Sequence, residues 1–234
     1  MFCIKLGGIP IGIVHRYPYV RLLCRGYETT DPPVFTVQAS EEEIKAEQDG
    51  ETDFSEDYCE SLCLYRKICR QLPRYDAFLI HASVVAVDGE AYVFTAPSGT
   101  GKTTHTRLWL KQFGSRAEVV NGDKPIVRFM DGRLHACGTP WQGKEGLGEN
   151  IIRPVRAICF LEQSPTNNIR LLDEDEVCRR LFHQLLMPVS EQELDWLWPL
   201  LDQLLTSVDF YLLRCNREPE SAQLAYQTMR RKKC

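Results

Sequence analysis

Residues 91–110 read AYVFTAPSGTGKTTHTRLWL, and this stretch decides the fold. A β-prone run at its start leads into Ala96-Pro-Ser-Gly-Thr-Gly-Lys-Thr, and an apolar-periodic helix follows. Gly114 stands where a glycine commonly ends such a helix. A strand, a glycine-rich loop and a helix in this order indicate a phosphate-binding loop, with Ala96 in place of the first glycine of the strict pattern.

The chemistry of this loop follows from its residue types. Gly99 and Gly101 allow backbone N–H groups to converge on an anion, and the next helix adds the positive end of its dipole. Lys102 supplies a mobile charge for outer phosphates, and the Thr103 hydroxyl suits Mg²⁺. The residues that we expect to bind nucleotide are Ser98, Gly99, Thr100, Gly101, Lys102, Thr103, Thr104 and, from a later loop, Lys144.

A β-hairpin precedes the loop. The runs Val84–Val87 and Ala91–Phe94 flank Asp88-Gly89, the dipeptide that most strongly favours a two-residue turn. This register places His81 opposite Ala96, at the mouth of the loop. His81 then either contacts a phosphate or the acceptor, or is a structural histidine at a strand end. The strand that feeds the loop is therefore predicted to be antiparallel to its predecessor, in a mixed sheet.

A second hairpin returns the chain to the same region. Ile126–Met130 and Arg133–Cys137 flank Asp131-Gly132, which brings residues 121–125 beside residues 138–144. Asp123 follows the β run 117–120, about where an enzyme with a phosphate-binding loop needs a carboxylate for Mg²⁺.

Several residues of these two segments allow two interpretations. Asp123 is a metal ligand or only a turn former, and Lys124 and Lys144 bind phosphate or are surface lysines. Trp141 lines a pocket or packs in the core. The weaker candidates for the site are Asn150 and Arg153.

The remaining sequence divides into a region 1–75 and a region 76–234. The first holds short β-prone runs, which predict a small antiparallel sheet: Phe2–Leu6, Ile11–Val14, Tyr19–Cys24 and Val34–Val37. Residues 41–60 carry ten acidic residues and one lysine, a solvated face or an interaction surface, before a helix predicted over 55–72. The second region ends mainly in helices, with capping boxes at 173–176 and 190–193, a strand at 208–213, a helix at 220–229 and a basic tail at 230–233.

Composition excludes several classes of protein. The 234 residues are 44% hydrophobic, with a formal net charge of −4, which gives no general attraction to nucleic acid or anionic membranes. We find no secretory signal and no run long enough to span a bilayer, so we expect a cytoplasmic protein. The ten cysteines are then reduced, and Cys59, Cys63 and Cys69 are interpreted as core residues of a helix rather than metal ligands.

The motifs together resemble a known family. The hairpin before the phosphate loop, with His81 on the preceding strand and Asp123 after the next one, resembles the HPr kinase/phosphorylase C-terminal domain. That fold is related to the nucleotide-binding part of phosphoenolpyruvate carboxykinase. More narrowly, SGTGKTTH (98–105), NGDKP (121–125) and GTPWQGK (138–144) resemble the HPr-kinase-like proteins of bacterial peptide-modification gene clusters. The resemblance covers residues 76–165 well and implies an α/β phosphate-loop fold with a mixed, partly antiparallel sheet.

The resemblance also implies an activity: binding of ATP and Mg²⁺, and transfer of the γ-phosphoryl group to a hydroxyl, typically serine. Lys102, Asp123 and His81 would be catalytic, with Thr103 and Asp123 as metal ligands. Gly122 stands where the family has a second aspartate, and no convincing phosphorylase signature is present. We expect a protein or peptide acceptor and allow a homo-oligomer. An inactive ATP-binding partner protein and a small-molecule kinase stay open as alternatives.

Overall fold

The computed structural model describes residues 1–50 and 54–231 of the chain. Within them, twelve strands and seven α-helices form a mixed α/β fold. In chain order they are β1 (Phe2–Leu6), β2 (Ile9–Val14), α1 (Pro18–Leu23), β3 (Phe35–Gln38), α2 (Glu41–Gly50), α3 (Glu56–Gln71), β4 (Ala77–Leu79), β5 (Ala82–Val87), β6 (Glu90–Thr95), α4 (Lys102–Phe113), β7 (Ala117–Asn121), β8 (Ile126–Met130), β9 (Arg133–Cys137), β10 (Ile152–Gln163), β11 (Asn168–Leu171), α5 (Glu174–Leu181), α6 (Glu191–Ser207), β12 (Asp209–Cys215) and α7 (Pro219–Met229).

The small N-terminal sheet differs from its prediction in two respects. It contains β1, β2 and β3, with β2 antiparallel to β1 but parallel to β3, so the sheet is mixed rather than antiparallel. The strand predicted at Tyr19–Cys24 is wrong, because this stretch forms helix α1. Pro18 occupies the first turn of that helix, where proline is well tolerated, and Val20 and Cys24 are buried at helical spacing.

Helix α3 packs over this sheet, and its observed bounds confirm the prediction over 55–72. Cys59, Cys63 and Cys69 are buried in its apolar face, as expected. Burial raises the pKa of Cys63 to about 11 and that of Cys69 to about 12, so these thiols stay protonated at neutral pH.

The acidic run is mostly exposed where it is described, which is compatible with a solvated face and with an interaction surface. In α2 the first three glutamates are exposed, and Glu41 and Glu43 pair with Lys45 and Lys67. Residues 51–53 of the run lie outside the described residues, as do residues 232–233 of the predicted basic tail.

A nine-stranded mixed sheet carries the rest of the fold. Its main path runs β4-β8-β9-β10-β6-β5-β7. Strand β12 lies off this path and pairs with β10, and β11 pairs with β12. Both predicted hairpins are confirmed in register: Val87 pairs with Glu90 across Asp88-Gly89, and Met130 pairs with Arg133 across Asp131-Gly132. All four turn residues have positive φ, the geometry that two-residue hairpins require.

Strand directions place several carboxyl ends at one edge of this sheet. β6 and β12 are each parallel to β10, whereas β5 is antiparallel to both β6 and β7. β6, β7, β10 and β12 therefore all end at the same edge, where ligands of open α/β sheets commonly bind.

The C-terminal helices follow their predicted capping boxes. The Asp173 carboxylate accepts from the Glu176 amide, and the Ser190 hydroxyl accepts from the Glu193 amide. The predicted last strand and helix are observed as β12 and α7. None of the helices in the described ranges combines the length and apolar character that crossing a lipid bilayer requires.

Three apolar clusters form the core. Two of them lie on opposite faces of the large sheet, one under α5 and α6 and the other under α4 and α7. The third joins the N-terminal sheet and α3 to residues from beyond position 75, namely Ala77, Ile126, Cys137 and Trp141.

Candidate functional site

The loop that connects β6 to α4 contains two glycines in the left-handed region of backbone conformation. Gly99 and Gly101 adopt φ of +79° and +115°, which L-residues with a side chain rarely reach. Helix α4 begins at Lys102, so the first N–H groups of its backbone face the loop without partners inside the helix. The glycines are thus required by the turn, as the sequence pattern predicts.

Lys102 is drawn back over this loop. Its side chain is 8% exposed, and Nζ donates to the Ala96 carbonyl at 2.8 Å. Burial lowers the pKa of this ammonium group, and the nearby charge of Asp123 partly opposes that effect. A desolvated cation beside unpartnered amides is an arrangement that an anionic group stabilises.

Thr106 fixes helix α4 to the sheet behind the loop. Its hydroxyl and that of Ser83 on β5 are hydrogen-bonded at 3.0 Å, and both residues are completely buried. Because this contact lies one turn into the helix, it holds the first turn of α4 against the strand.

The opposite wall of the site contains a charged cluster around Asp123. The Oδ1 atom lies 3.3 Å from His81 Nε2, and Oδ2 lies 2.9 Å from Lys124 Nζ. The His81 imidazole and the Lys124 ammonium group hold the pKa of Asp123 well below its usual range, although burial acts in the opposite direction. Asp123 is therefore ionised at neutral pH, with an oriented carboxylate.

His81 reaches this position through backbone contacts on both sides. Its N–H donates to the Gln184 carbonyl at 2.7 Å, and its carbonyl accepts from the Thr95 hydroxyl at 2.8 Å. The structure thus places His81 beside Asp123, one residue before β5. The hairpin register predicts His81 opposite Ala96, and the observed pairing of Ala82 with Thr95 leads to that position, whereas the contact with Asp123 was not predicted.

Asn121 shapes the turn that carries Asp123, and we did not predict it. Its Oδ1 accepts from the amides of Asp123 and Lys124 at 2.8 and 2.7 Å, and its Nδ2 donates to the carbonyls of Thr139 and Trp141. The side chain is completely buried. An asparagine two residues before such a turn is a recognisable Asx-turn signal, so the sequence does contain evidence for this role.

Helix α3 supports the same turn from the N-terminal region. The Tyr65 hydroxyl donates to the Lys124 carbonyl at 2.6 Å, and the Tyr65 ring stacks on Trp141 with centroids 4.2 Å apart. Trp141 is 4% exposed and donates through Nε1 to the Ser61 carbonyl, so it packs in the core rather than lining a pocket. No motif in the sequence predicts Tyr65, because its partners lie 59 and more positions away.

The loop Gln142–Leu147 closes one side of the site. Gly143 has φ of +74°, and a Cβ atom there would lie 2.8 Å from Asp123 Cβ, so a side chain is excluded. Lys144 is exposed on this loop, and Glu145 pairs with Arg107 of α4.

These walls enclose a cleft of about 420 Å³. It brings together most of the predicted site residues: His81, Ser98, Gly99, Gly101, Lys102, Thr103, Thr104, Asp123 and Lys144. Thr100 lines a different cavity, on the other side of the loop. Arg153 instead forms a double hydrogen bond with Glu118, and Asn150 donates to the Gly26 carbonyl, so neither weaker candidate lines the cleft.

The cleft also fits a magnesium ion that arrives with a nucleotide. In the described part of the chain, no three His, Cys, Asp or Glu side chains form a metal-binding group. Mg²⁺ typically uses one or two carboxylates together with substrate phosphates and water, which does not require such a group. Asp123 and the Thr103 hydroxyl both line the cleft and would be its protein ligands.

Comparison with known proteins finds matches among solved structures. No protein-family model and no curated protein matches the chain. Among solved structures, the HPr(Ser) kinase/phosphatase from Coxiella burnetii matches with a TM-score of 0.38 and 12% identity, over 65% of this chain and 88% of that chain. A TM-score this low is no evidence of function. The function proposed below rests on the geometry of the cleft.

Proposed function

We propose that this protein is an ATP-dependent kinase that transfers the γ-phosphoryl group to a hydroxyl, serine in particular, of a protein or peptide acceptor. One observation carries the proposal. A glycine-rich loop with a buried lysine and an ionised, oriented aspartate line the same cleft. The loop and the lysine suit the phosphates, and the aspartate suits the metal and the acceptor hydroxyl.

Binding would use the loop and the start of α4. The phosphates would accept hydrogen bonds from the backbone amides near Gly99 and Gly101, and Lys102 would exchange the Ala96 carbonyl for a phosphate oxygen. Lys144, exposed at the rim, would add a second positive charge.

The transfer step would form a bond between the serine oxygen and the γ-phosphorus and break the bond to the β-γ bridging oxygen, so that ADP leaves. The proton of the serine hydroxyl would pass to Asp123, which His81 and Lys124 hold in its ionised form. A weak base suffices where the transition state is loose, because positioning and charge neutralisation dominate such catalysis. Mg²⁺, when bound with ATP, supplies neutralisation of the phosphate charge.

The test measures ATP consumption and a phosphate-sized mass gain on candidate protein and peptide acceptors. Wild type should phosphorylate a serine-containing acceptor, and Lys102→Ala and Asp123→Asn should not. Lys111→Ala is the matched control, since this exposed lysine lies at the far end of the same helix. The proposal is wrong if folded wild type and Lys102→Ala turn over ATP equally.

A second candidate is a nucleotide-binding protein without turnover. Gly122 leaves Asp123 without the paired aspartate of the family that the motifs resemble, and both Asp123 oxygens already contact cations. ATP binding that depends on Lys102, with no consumption of ATP on any acceptor, would favour this candidate over the kinase.

A further inference from the structure

We propose that the phosphoryl acceptor docks on the outer face of helix α6 and the segment before it, through a stretch of its chain that carries both apolar and basic side chains. This inference rests on the proposed kinase function and adds to it the kind of acceptor. The docking surface, which we call the α6 patch, consists of five exposed apolar residues: Phe182, Met187, Val189, Leu194 and Trp198.

The members of the α6 patch are large, exposed and close together in the chain. Trp198 is 50% exposed and Val189 is 64% exposed. Single exposed apolar side chains are common on protein surfaces, but a group of them rimmed by polar residues is typical of an interaction site. We therefore expect a partner to cover these side chains.

Contacts and spacing join the members of the patch into one surface. The rings of Phe182 and Trp198 are stacked, with centroids 6.3 Å apart. Leu194 lies about one helical turn before Trp198, on the same face of α6. Val189 and Leu194 flank the Ser190 cap at the two positions that commonly pack together at the start of a helix. The patch thus follows α6 from its first turn to the stacked rings.

The charge around the patch selects the kind of partner. Residues 173–207, from the cap of α5 to the end of α6, contain eight acidic residues and two arginines, a formal charge of −6, whereas the whole chain has −4. Glu191, Asp195 and Asp202 are exposed, and their helical spacing places them on the same face of α6 as the patch. A second copy of this chain would bring like charges together, so a partner with basic side chains is favoured.

The segment before α6 leads from the cleft to the patch. The Gln184 carbonyl accepts from the His81 N–H at 2.7 Å, and the His81 ring contacts Asp123, the proposed base. Gln184 and Val189 are five positions apart in the chain, a span of at most about 17 Å. An extended acceptor with its serine at Asp123 would therefore reach the patch with residues roughly five to ten positions from that serine.

The experiment measures phosphorylation of a serine peptide library in which one position at a time is fixed as arginine, leucine or glutamate. Wild type with ATP and Mg²⁺ should prefer arginine and leucine to glutamate about 3-fold or more, at positions roughly five to ten residues from the serine. Asp195→Lys should lose the preference for arginine, and Trp198→Ala the preference for leucine.

Kinetics on the best library peptide distinguish docking from catalysis. Trp198→Ala should raise KM about 3-fold or more and leave kcat unchanged, because the lost contact is equal in the ground state and the transition state. Leu22→Ala is the matched control, since Leu22 is an exposed apolar residue of α1 outside the cleft. It should keep the wild-type preferences and KM.

The outcomes separate this inference from the proposed function. Phosphorylation without these preferences, variants that keep the wild-type preferences, or phosphorylation of a protein acceptor but of no library peptide would overturn the docking surface alone. Wild type that phosphorylates neither peptides nor proteins would overturn both proposals. A wild-type dimer in light scattering that Trp198→Ala abolishes would assign the patch to a second copy instead. Asp195→Lys changes an exposed residue, so its result does not depend on the folding of Trp198→Ala.

Discussion

Gly122 occupies a crowded position beside the candidate catalytic aspartate. A Cβ atom there would lie 3.0 Å from the Leu147 carbonyl oxygen and 3.2 Å from that of Gln142. The loop that carries Lys144 therefore packs against this glycine, in the space that a second carboxylate would need. The loop can lie this close only because residue 122 has no side chain, so the glycine and the position of the loop depend on each other.

This crowding predicts the effect of placing an aspartate at position 122. Gly122→Asp should lower the free energy of unfolding by about 1–3 kcal/mol, because the loop must move and a carboxylate meets two carbonyl oxygens. It should not raise ATP turnover. Chemical denaturation and the ATP assay measure both, with Gly122→Ala to isolate the steric part. A faster variant of unchanged stability would contradict this explanation.

His105 makes the stability of the protein depend on pH. Burial lowers the pKa of His105 to about 3, whereas an unfolded histidine titrates near 6.5. Between these values the unfolded chain binds a proton that the native chain does not, so stability falls as the pH falls. This residue alone should cost about 2 kcal/mol between pH 7 and pH 5.

Denaturant unfolding at several pH values measures this dependence. His105→Leu should show a flatter profile between pH 7 and pH 5 than wild type, whatever its absolute stability. Identical slopes for wild type and His105→Leu would contradict the buried neutral histidine.

Sequence reasoning succeeds at this scale where a motif constrains the backbone. Lys102, Gly99 and Gly101 belong to a contiguous pattern whose geometry is local, and the structure places them as expected. Their roles stay predictions. Tyr65 and Asn121 were missed for different reasons: Tyr65 acts through a tertiary contact that no local pattern encodes, whereas the Asx-turn signal of Asn121 is present in the sequence.

Among the elements, the hairpins were the most predictable and helix α1 was the least. Asp-Gly turns determine both type of turn and register, so the pairing on either side follows by counting. Residues 19–24 contain enough apolar and aromatic residues to read as a strand. Pro18 and the Glu60 carboxylate, which accepts from the Arg16 and Tyr17 amides before the helix, favour α1 instead.

Helix α3 is the element that connects the N-terminal region to the cleft, through the Tyr65 hydroxyl. Tyr65→Phe keeps the stacking on Trp141 and removes only the bond to the Lys124 carbonyl. We expect a loss of about 1 kcal/mol in unfolding free energy, since that carbonyl still accepts from the Thr139 hydroxyl. Thermal and urea unfolding measure it.

Tyr75→Phe is the matched control for this substitution. Its hydroxyl also donates to a backbone carbonyl, that of Val34, but at 3.4 Å and with an exposed environment. It should change stability by less than Tyr65→Phe does. If the two substitutions lowered the free energy of unfolding equally, the hydrogen bond to the Lys124 carbonyl would contribute no more than the long, exposed one to Val34.

At the scale of the whole molecule, the third apolar cluster crosses the boundary that the sequence suggests. Ile126, Cys137 and Trp141 share it with α3 and the N-terminal sheet. The division at residue 75, a homo-oligomer and a cytoplasmic location stay predictions. Local composition suggests the division, but composition alone does not reveal which surfaces pack together.

This shared cluster predicts the behaviour of a truncated chain. A fragment of residues 76–234 would expose the apolar side of β8 and β9 and lose the contact between Tyr65 and Lys124. We expect it to unfold at a lower temperature than the full chain or to aggregate. Circular dichroism and light scattering measure both, and a fragment as stable and monodisperse as the full chain would contradict the shared core.

The central claim is that the Ala96–Gly101 loop and Lys102 bind the phosphates of ATP, and calorimetric titration of ATP in the presence of Mg²⁺ tests it most directly. Wild type and Lys111→Ala should bind with the same affinity. Lys102→Ala should bind about 10- to 100-fold more weakly, the cost of a hydrogen bond to a charged group. No binding to wild type, or equal binding to Lys102→Ala of unchanged thermal stability, would contradict the claim.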